Sequence, residues 1–183
     1  MKSHRPKIKL SELWSQVDFT KTSTMSLIFS NLLVVFFAIV DGISANEVLW
    51  IYWSQSVIIG IFNFIKMITL KDYSTEGFRQ GNKQVMPTRA TAISSAIFFL
   101  FHYGFFHLVY AVFFGAFSEF SNASGIGSGN KYLLLSAGVF FISYLIEFIN
   151  SRKEQTDELP NLGAIMFAPY ARIIPMHLTI ILG

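Results

Sequence analysis

The hydrophobic residues of this 183-residue chain fall into five long runs, separated by short polar segments. A helix that crosses the hydrocarbon core of a bilayer needs about 20 mostly apolar residues, each of which adds about 1.5 Å. The runs meet or approach this length. They predict transmembrane spans at residues 25–41, 47–70, 91–117, 131–150 and 164–183. We therefore expect an all-α fold, a polytopic transmembrane helix bundle with at least five spans.

The two ends of the chain differ from the runs between them. The last run reaches Gly183 without a polar flank, so we expect the chain to continue into a longer fifth span or a sixth. Residues 1–24 are basic and polar, and they predict a cytoplasmic arm ahead of a bundle at 25–183. One face of this arm is typical of an amphipathic helix in the membrane interface; its members are Leu10, Leu13, Trp14 and Val17. A disordered basic arm is the alternative.

The composition supports lipid as the surroundings of the runs. Hydrophobic residues make up 52% of the chain and charged residues only 14%, whereas about 25% of a soluble domain is charged. The mean hydropathy is +0.49. Cysteine is absent, which excludes disulfides, thiolate metal sites and a cysteine nucleophile.

The positions of lysine and arginine predict the orientation of the spans. The arm, the loop after the second span and the loop after the fourth are basic, but residues 42–46 and 118–130 contain neither residue type. This alternation predicts a cytoplasmic N-terminus, in the cell (inner) membrane. Because topology and anionic lipid account for the basic residues, nucleic-acid binding is not indicated.

Polar residues inside the spans sort by depth into two layers. His102 and His177 lie about a dozen residues from the cytoplasmic ends of spans three and five, near the midplane, and Gln55 is at a similar level. Charged or amide residues fall in the cytoplasmic third: Lys66, Glu147, Asn150 and Arg172. These charges could reach the headgroups or pair with one another, or they could form a functional site.

The second span carries a polar stripe beside a small-residue pair. Gln55, Asn63 and Lys66 lie near one face of the helix. Ser56 and Gly60, four residues apart, predict a contact surface for a neighbouring helix. Together with Glu147 of the fourth span, the stripe predicts a polar path between spans two and four.

The histidines suggest a metal or haem site. Imidazole is a common metal ligand, and His102 and His177 could hold zinc, copper or iron, or serve as two axial ligands of a haem. Glu147 and His107 are further ligand candidates. Five residues separate His102 from His107, so on a regular helix they point to different sides. Hydrogen bonding across helix contacts, a proton relay and catalysis remain alternatives for these histidines.

Two resemblances follow from particular motifs. The run WIYWSQSVIIG (residues 50–60), then Asn63 and Lys66, and the run PMHLT (175–179) resemble an uncharacterised prokaryotic membrane protein family of unknown function. The run FHYGFFHLVY (101–110) is similar to the second-helix pattern H-x-x-x-x-H-L-x-x-N of rhomboid-type intramembrane proteins, where a histidine and the asparagine help form an oxyanion site. Tyr110 replaces that asparagine here, and no G-x-S-G sequence is present.

Three functions of different classes are consistent with this sequence. The first, which we favour from the sequence, is an intramembrane metal or haem site near the midplane, formed by the histidines of spans three and five. The second is a small transporter or channel subunit, which predicts a water-accessible cavity between spans two and four. The third is a structural or scaffolding subunit, either as a homo-oligomer or with partner membrane subunits, for which twenty phenylalanines would provide packing surface.

Overall fold

The computed structural model describes residues 36, 40, 44–120, 130–153, 159–171 and 173. The predicted arm at 1–24, nearly all of the first predicted span and the end of the fifth lie outside the described residues. In chain order, the described elements are α1 (Ala45–Ile68), β1 (Arg79–Gln80), β2 (Lys83–Gln84), α2 (Arg89–Phe120), α3 (Asn130–Lys153) and α4 (Leu162–Phe167).

The first helix begins at a capping box. The Ser44 hydroxyl accepts a hydrogen bond from the Glu47 backbone N–H, and the Glu47 carboxylate accepts one from the Ser44 backbone N–H at 2.7 Å. Two backbone donors that the helix itself cannot satisfy are thereby paired, and the Glu47 charge lies at the positive end of the helix dipole. This cap fixes the start of α1 within two residues of the predicted start.

Three described helices are long and apolar enough to cross a membrane. Their apolar segments are Asn46–Ile68, Arg89–Ala116 and Leu133–Arg152. These helices coincide with the predicted second, third and fourth spans, so the prediction of a helical, membrane-type fold is confirmed for this part of the chain. We predicted five spans, and the described residues contain three such helices.

The central helix is α1, which packs against α2 on one side and against α3 on another. The buried face of α2 repeats every three or four residues, as expected for one face of an α-helix; it consists of Ala92, Ala96, Phe99, Tyr103, His107, Tyr110 and Phe114. Leu162 and Met166 of α4 join the same core. The core is therefore an aromatic-rich layer between α1, α2 and α4.

The opposite face of α2 is a continuous apolar stripe that no described residue covers. Its members are exposed by half or more and recur at three- and four-residue spacing: Phe98, Phe101, Phe105, Leu108 and Val112. A contiguous apolar surface of this kind is rare on a protein surrounded by water. The stripe is suited to contact with lipid chains.

The segment between α1 and α2 contains a small hairpin, which the all-α prediction did not include. Arg79 pairs with Gln84 and Gln80 with Lys83 in an antiparallel register. Gly81 turns the chain with φ +63°, a backbone conformation that glycine adopts without strain. The hairpin is short because only two residues on each strand pair before the chain turns toward α2.

This same segment is tied to the start of α4. The Ser74 backbone N–H donates to the Pro160 carbonyl, and the Leu162 backbone N–H donates to the Ser74 carbonyl, both at 2.9 Å. Asn161 caps α4 by accepting from the Ala164 N–H, and its amide donates to the Glu76 carbonyl at 2.8 Å. After Phe167 a turn follows at residues 168–169, so the described start of the predicted fifth span is not one continuous helix.

Candidate functional site

The closest approach of α1 and α2 is built from Ser56, Gly60 and Tyr103. The Tyr103 ring lies against Gly60, where a Cβ atom would meet the Tyr103 Cε1 at 2.6 Å. The Tyr103 hydroxyl lies 2.8 Å from the Ser56 hydroxyl and donates to the Ser56 carbonyl at 3.0 Å. The Ser56 and Gly60 pair is thus the contact surface for a neighbouring helix that its spacing predicts.

His107 is buried in this contact, one turn beyond Tyr103. Its Nδ1 lies 2.9 Å from the Tyr103 carbonyl oxygen, and the two rings are 4.2 Å apart between centroids. The Trp53 indole N–H donates to the His107 carbonyl at 2.8 Å, which adds a second link between α1 and α2. The His107 Nε2 is buried and has no hydrogen-bond partner among the described residues. His107 therefore belongs to the interface of these two helices.

Gln55 links α1 to α3. It is fully buried, and its amide Nε2 donates to the Ser136 hydroxyl at 3.3 Å. No described residue forms a hydrogen bond with its Oε1. A hydrogen bond between two spanning helices contributes modestly to their association, because it replaces contacts that the separated helices would also find. Gln55 thus acts as a polar link inside the bundle.

A polar cleft lies nearer to the end of α1. It has a volume of about 480 Å³, and α1, α3 and the segment after α4 form its walls. Its polar lining consists of Asn63, Lys66, Glu147 and Ser151, and its apolar lining includes Ile59, Phe62, Tyr144, Phe148 and Pro169. We call this volume the polar cleft. It lies between the second and fourth predicted spans, where the transport hypothesis expects a cavity.

The lining gives the polar cleft groups of both charges. The side chain of Lys66 is exposed, whereas that of Glu147 is half-buried. Ser151 follows Glu147 by four residues, so both project from one face of α3. Sequence reasoning selected Asn150 on this helix and missed Ser151, although the four-residue spacing from Glu147 was a usable signal.

An apolar and aromatic layer separates the polar cleft from Gln55. Ile59 lies one turn from Gln55 and one turn from Asn63, and both Ile59 and Phe62 are buried. The Phe62 ring packs against Phe141, Tyr144 and Phe148 with centroid distances of 5.4, 6.0 and 5.5 Å. The predicted polar stripe of α1 is therefore interrupted at this layer.

His102 points to a different side of α2 from His107, as the five-residue spacing predicts. It is exposed, and its Nδ1 lies 2.8 Å from the Tyr170 hydroxyl. Its ring stacks on Phe98 at 5.2 Å and meets Phe106 edge-on at 5.2 Å. One imidazole nitrogen is thus engaged by a phenol, among aromatic rings.

The candidate metal ligands are distributed over separate surfaces. His107 lies between α1 and α2, His102 lies beside Tyr170, and Glu147 lies in the polar cleft. Among the described residues, no group of three or more histidines and carboxylates is close enough to hold one metal ion. His177 and Arg172 lie outside the described residues, so the pairing of His102 with His177 stays a prediction.

One titratable group outside the spanning helices has a clear electrostatic feature. Tyr73, in the segment between α1 and α2, is buried and donates its hydroxyl to the Thr88 carbonyl at 2.5 Å. Burial raises the pKa of Tyr73 above its ordinary value of 10.0, since a phenolate would lose hydration there. Tyr73 is therefore a neutral structural group that holds the segment against the start of α2.

Comparison with known proteins gives a family without an assigned activity. The model of the family of unknown function DUF6498 matches residues 13–183, so the chain belongs to this family. No curated protein and no solved structure matches the chain. The family match agrees with the resemblance to an uncharacterised family, and the likeness to rhomboid-type proteins is not shown.

Proposed function

We propose that this member of the DUF6498 family is a multi-pass integral membrane protein that binds a small polar solute in the polar cleft. In this proposal the protein is a small transporter or channel subunit, and the polar cleft opens toward the cytoplasm. The observation that carries the proposal is the cleft itself, a volume of about 480 Å³ beside Asn63, Lys66 and Glu147. Binding sites for small molecules commonly have about 300–1,000 Å³.

The chemistry of the lining indicates the class of solute. The polar cleft is mostly apolar and contains a few polar groups that can make directional contacts, namely a lysine, a carboxylate, an amide and a hydroxyl. The ammonium of Lys66 suits a carboxylate or another small anion, and Glu147 suits an ammonium group. A small charged or zwitterionic solute therefore fits this lining better than an apolar one.

The layer of Ile59 and Phe62 favours a gated protein over an open pore. Both side chains are buried, and they lie between the polar cleft and Gln55. A solute in the cleft would have to displace this layer before it reached the middle of the bundle. This arrangement supports a cleft that is accessible from one side, as in a carrier between transport steps.

The proposal is tested by solute protection of a single cysteine. Because the chain has no natural cysteine, Asn63→Cys and Ser151→Cys each supply one reporter in the polar cleft. The probes are small carboxylates, primary amines and zwitterionic amino acids. We expect at least one probe class to slow alkylation of both reporters. Lys83→Cys, in the exposed hairpin, is the control and should react at an unchanged rate.

A charge variant adds specificity to this test. Lys66→Gln in the Asn63→Cys background should weaken protection by a carboxylate probe. The proposal is wrong if no probe protects either reporter, or if the hairpin control is protected to the same extent.

A metal or haem site at His102 is the second candidate. The observation in its favour is the Tyr170 hydroxyl 2.8 Å from His102 Nδ1. The second ring nitrogen of a metal-bound histidine is usually held by a hydrogen-bond partner, and the contact of Nδ1 with Tyr170 leaves Nε2 of His102 for a metal. Elemental analysis and a visible absorption spectrum of the purified protein test it. Metal or haem at one equivalent, lost in both His102→Ala and His177→Ala, would support the site.

A further inference from the structure

Cations from three elements gather where α1 and α3 end and α2 begins. Lys71 follows α1, Arg89 is the first residue of α2, and Arg152 is next to the last residue of α3. Together with Thr69 and Leu70, they line a pocket of about 450 Å³. We call it the basic pocket. The polar cleft is a separate volume, and its lining shares none of these residues.

Both guanidinium groups of the basic pocket are held in place. Arg89 Nη1 donates to the Leu70 carbonyl at 3.1 Å. Arg152 Nη2 donates to the Thr69 hydroxyl, and its guanidinium carbon lies 4.6 Å from the centre of the Phe148 ring. A guanidinium has five N–H donors. Since the contacts with described residues use only part of this set at each arginine, further donors are held in a fixed arrangement.

No carboxylate among the described residues lines the basic pocket. Within the described ranges, none of Lys71, Arg89 and Arg152 forms an ion pair with a carboxylate. Like charges that converge on one pocket repel each other, and a bound anion removes that repulsion. Membrane topology explains why cations occur on this side of the bundle. It does not explain why two helices and a connecting segment place their cations around one pocket.

We propose that the basic pocket binds a phosphate group. The planar fork of an arginine matches the oxygens of a phosphate, and Lys71 adds a compact positive charge. The pocket lies at the ends of helices that are long enough to span a bilayer, which is the depth of lipid headgroups. Basic pockets at such positions recognise anionic headgroups. An anionic phospholipid is one source of this group, and a free phosphate is another.

The test measures phosphate binding by the full chain in detergent. Phosphatidylglycerol is titrated and its retention is followed by native mass spectrometry, while inorganic phosphate is tested by its shift of the thermal unfolding midpoint. In R89Q/R152Q we expect an apparent affinity that is about tenfold weaker for each arginine removed. The matched control is R79Q/K83Q, which removes the same charge from the hairpin and should change the affinity by less than about twofold.

A third variant keeps the test valid if R89Q/R152Q does not fold. Lys71 is exposed, so Lys71→Gln should fold normally and weaken retention by about threefold to tenfold. If phosphatidylglycerol is retained and inorganic phosphate displaces it, the phosphate group that binds belongs to a lipid. A thermal shift with inorganic phosphate alone, lost in the pocket variants, identifies a free phosphate. Equal losses in the pocket and hairpin variants would overturn the proposal, as would the absence of both responses.

Discussion

Gly60 determines how closely α1 and α2 approach, because the Tyr103 ring occupies the space that a Cβ atom would need. The ring cannot simply swing away, since its hydroxyl is bonded to the backbone and side chain of Ser56. Tyr103 also supports His107, whose ring packs on it and whose Nδ1 meets its carbonyl. A single glycine thus affects the position of several buried polar groups.

We expect Gly60→Ala to destabilise the protein by about 1–3 kcal/mol, the usual cost of overpacking a tight contact. The new methyl carbon would lie 2.6 Å from the Tyr103 ring unless the helices move apart. Gly138→Ala in α3 is the matched control. No atom of the described residues lies within 4 Å of its added Cβ, so the substitution should be neutral or slightly stabilising. Unfolding of both variants in detergent measures the difference.

The free-energy cost of burying the Gln55 amide is only partly offset by its hydrogen bond to Ser136. Its Nε2 donates to the Ser136 hydroxyl, but its Oε1 has no hydrogen-bond partner within the part of the chain that the structure describes. We expect Ser136→Ala to lower the free energy of unfolding by about 1–3 kcal/mol, because the whole amide would then be buried and unpaired. The double variant Gln55→Met/Ser136→Ala should recover most of the loss. If the double variant is as unstable as the single one, Gln55 has another role.

At the level of elements, the segment between α1 and α2 is a structured unit. Tyr73 anchors it to Thr88 at the start of α2, and Ser74 pairs with the backbone beside Asn161. Asn161 joins it to α4 through both its cap and its bond to Glu76. These contacts hold α2 and α4 at one end of the bundle, beside the basic pocket.

The burial of Tyr73 in this unit predicts that the stability of the protein depends on pH. The folded pKa of Tyr73 is raised above its ordinary value of 10.0, so its neutral form is favoured in the folded state. The stability that it contributes is fully present below pH 10 and is lost as the pH rises through the folded pKa. Tyr73→Phe should cost about 1 kcal/mol at neutral pH, through the lost hydrogen bond.

The difference between wild type and Tyr73→Phe should shrink above pH 10. Thermal unfolding of both proteins at neutral and alkaline pH measures it, and the comparison of the two proteins removes effects of alkaline pH that do not involve Tyr73. A difference that is constant across this range would contradict the assignment.

At the scale of the whole molecule, the lengths of the apolar runs were sufficient to predict the three described spanning helices. The three described spanning helices start and end within a few residues of the predicted bounds, because long apolar runs leave few alternatives. The hairpin was missed since its strands are only two residues long and carry no apolar alternation. Turn residues at Gly77 and Gly81 were the available signal.

The candidate site was predicted in part. The stripe of Asn63 and Lys66 and the opposing Glu147 do line one cleft. The angular spacing of residues around α1 could not show that Ile59 and Phe62 separate the cleft from Gln55. This separation depends on aromatic side chains of α3 that pack on Phe62. Nor could loop charges show that Lys71, Arg89 and Arg152 share a pocket. These three residues are far apart in the sequence, so their proximity depends on the fold and cannot be read from sequence spacing.

Cysteine accessibility distinguishes a residue of the polar cleft from a lipid-facing residue at similar depth on the facing helix. Asn63→Cys lies in the polar cleft, whereas Leu145→Cys lies on the exposed apolar face of α3, one residue after Tyr144 of the cleft wall. The cysteines are treated in native membrane vesicles with a charged, membrane-impermeant maleimide.

We expect Asn63→Cys to react from the cytoplasmic side and Leu145→Cys, surrounded by lipid, to stay unmodified. The buried Ser136→Cys should also stay unmodified. Rapid modification of Leu145→Cys would contradict the membrane assignment, and protection of Asn63→Cys on both sides of the membrane would contradict a water-accessible cleft.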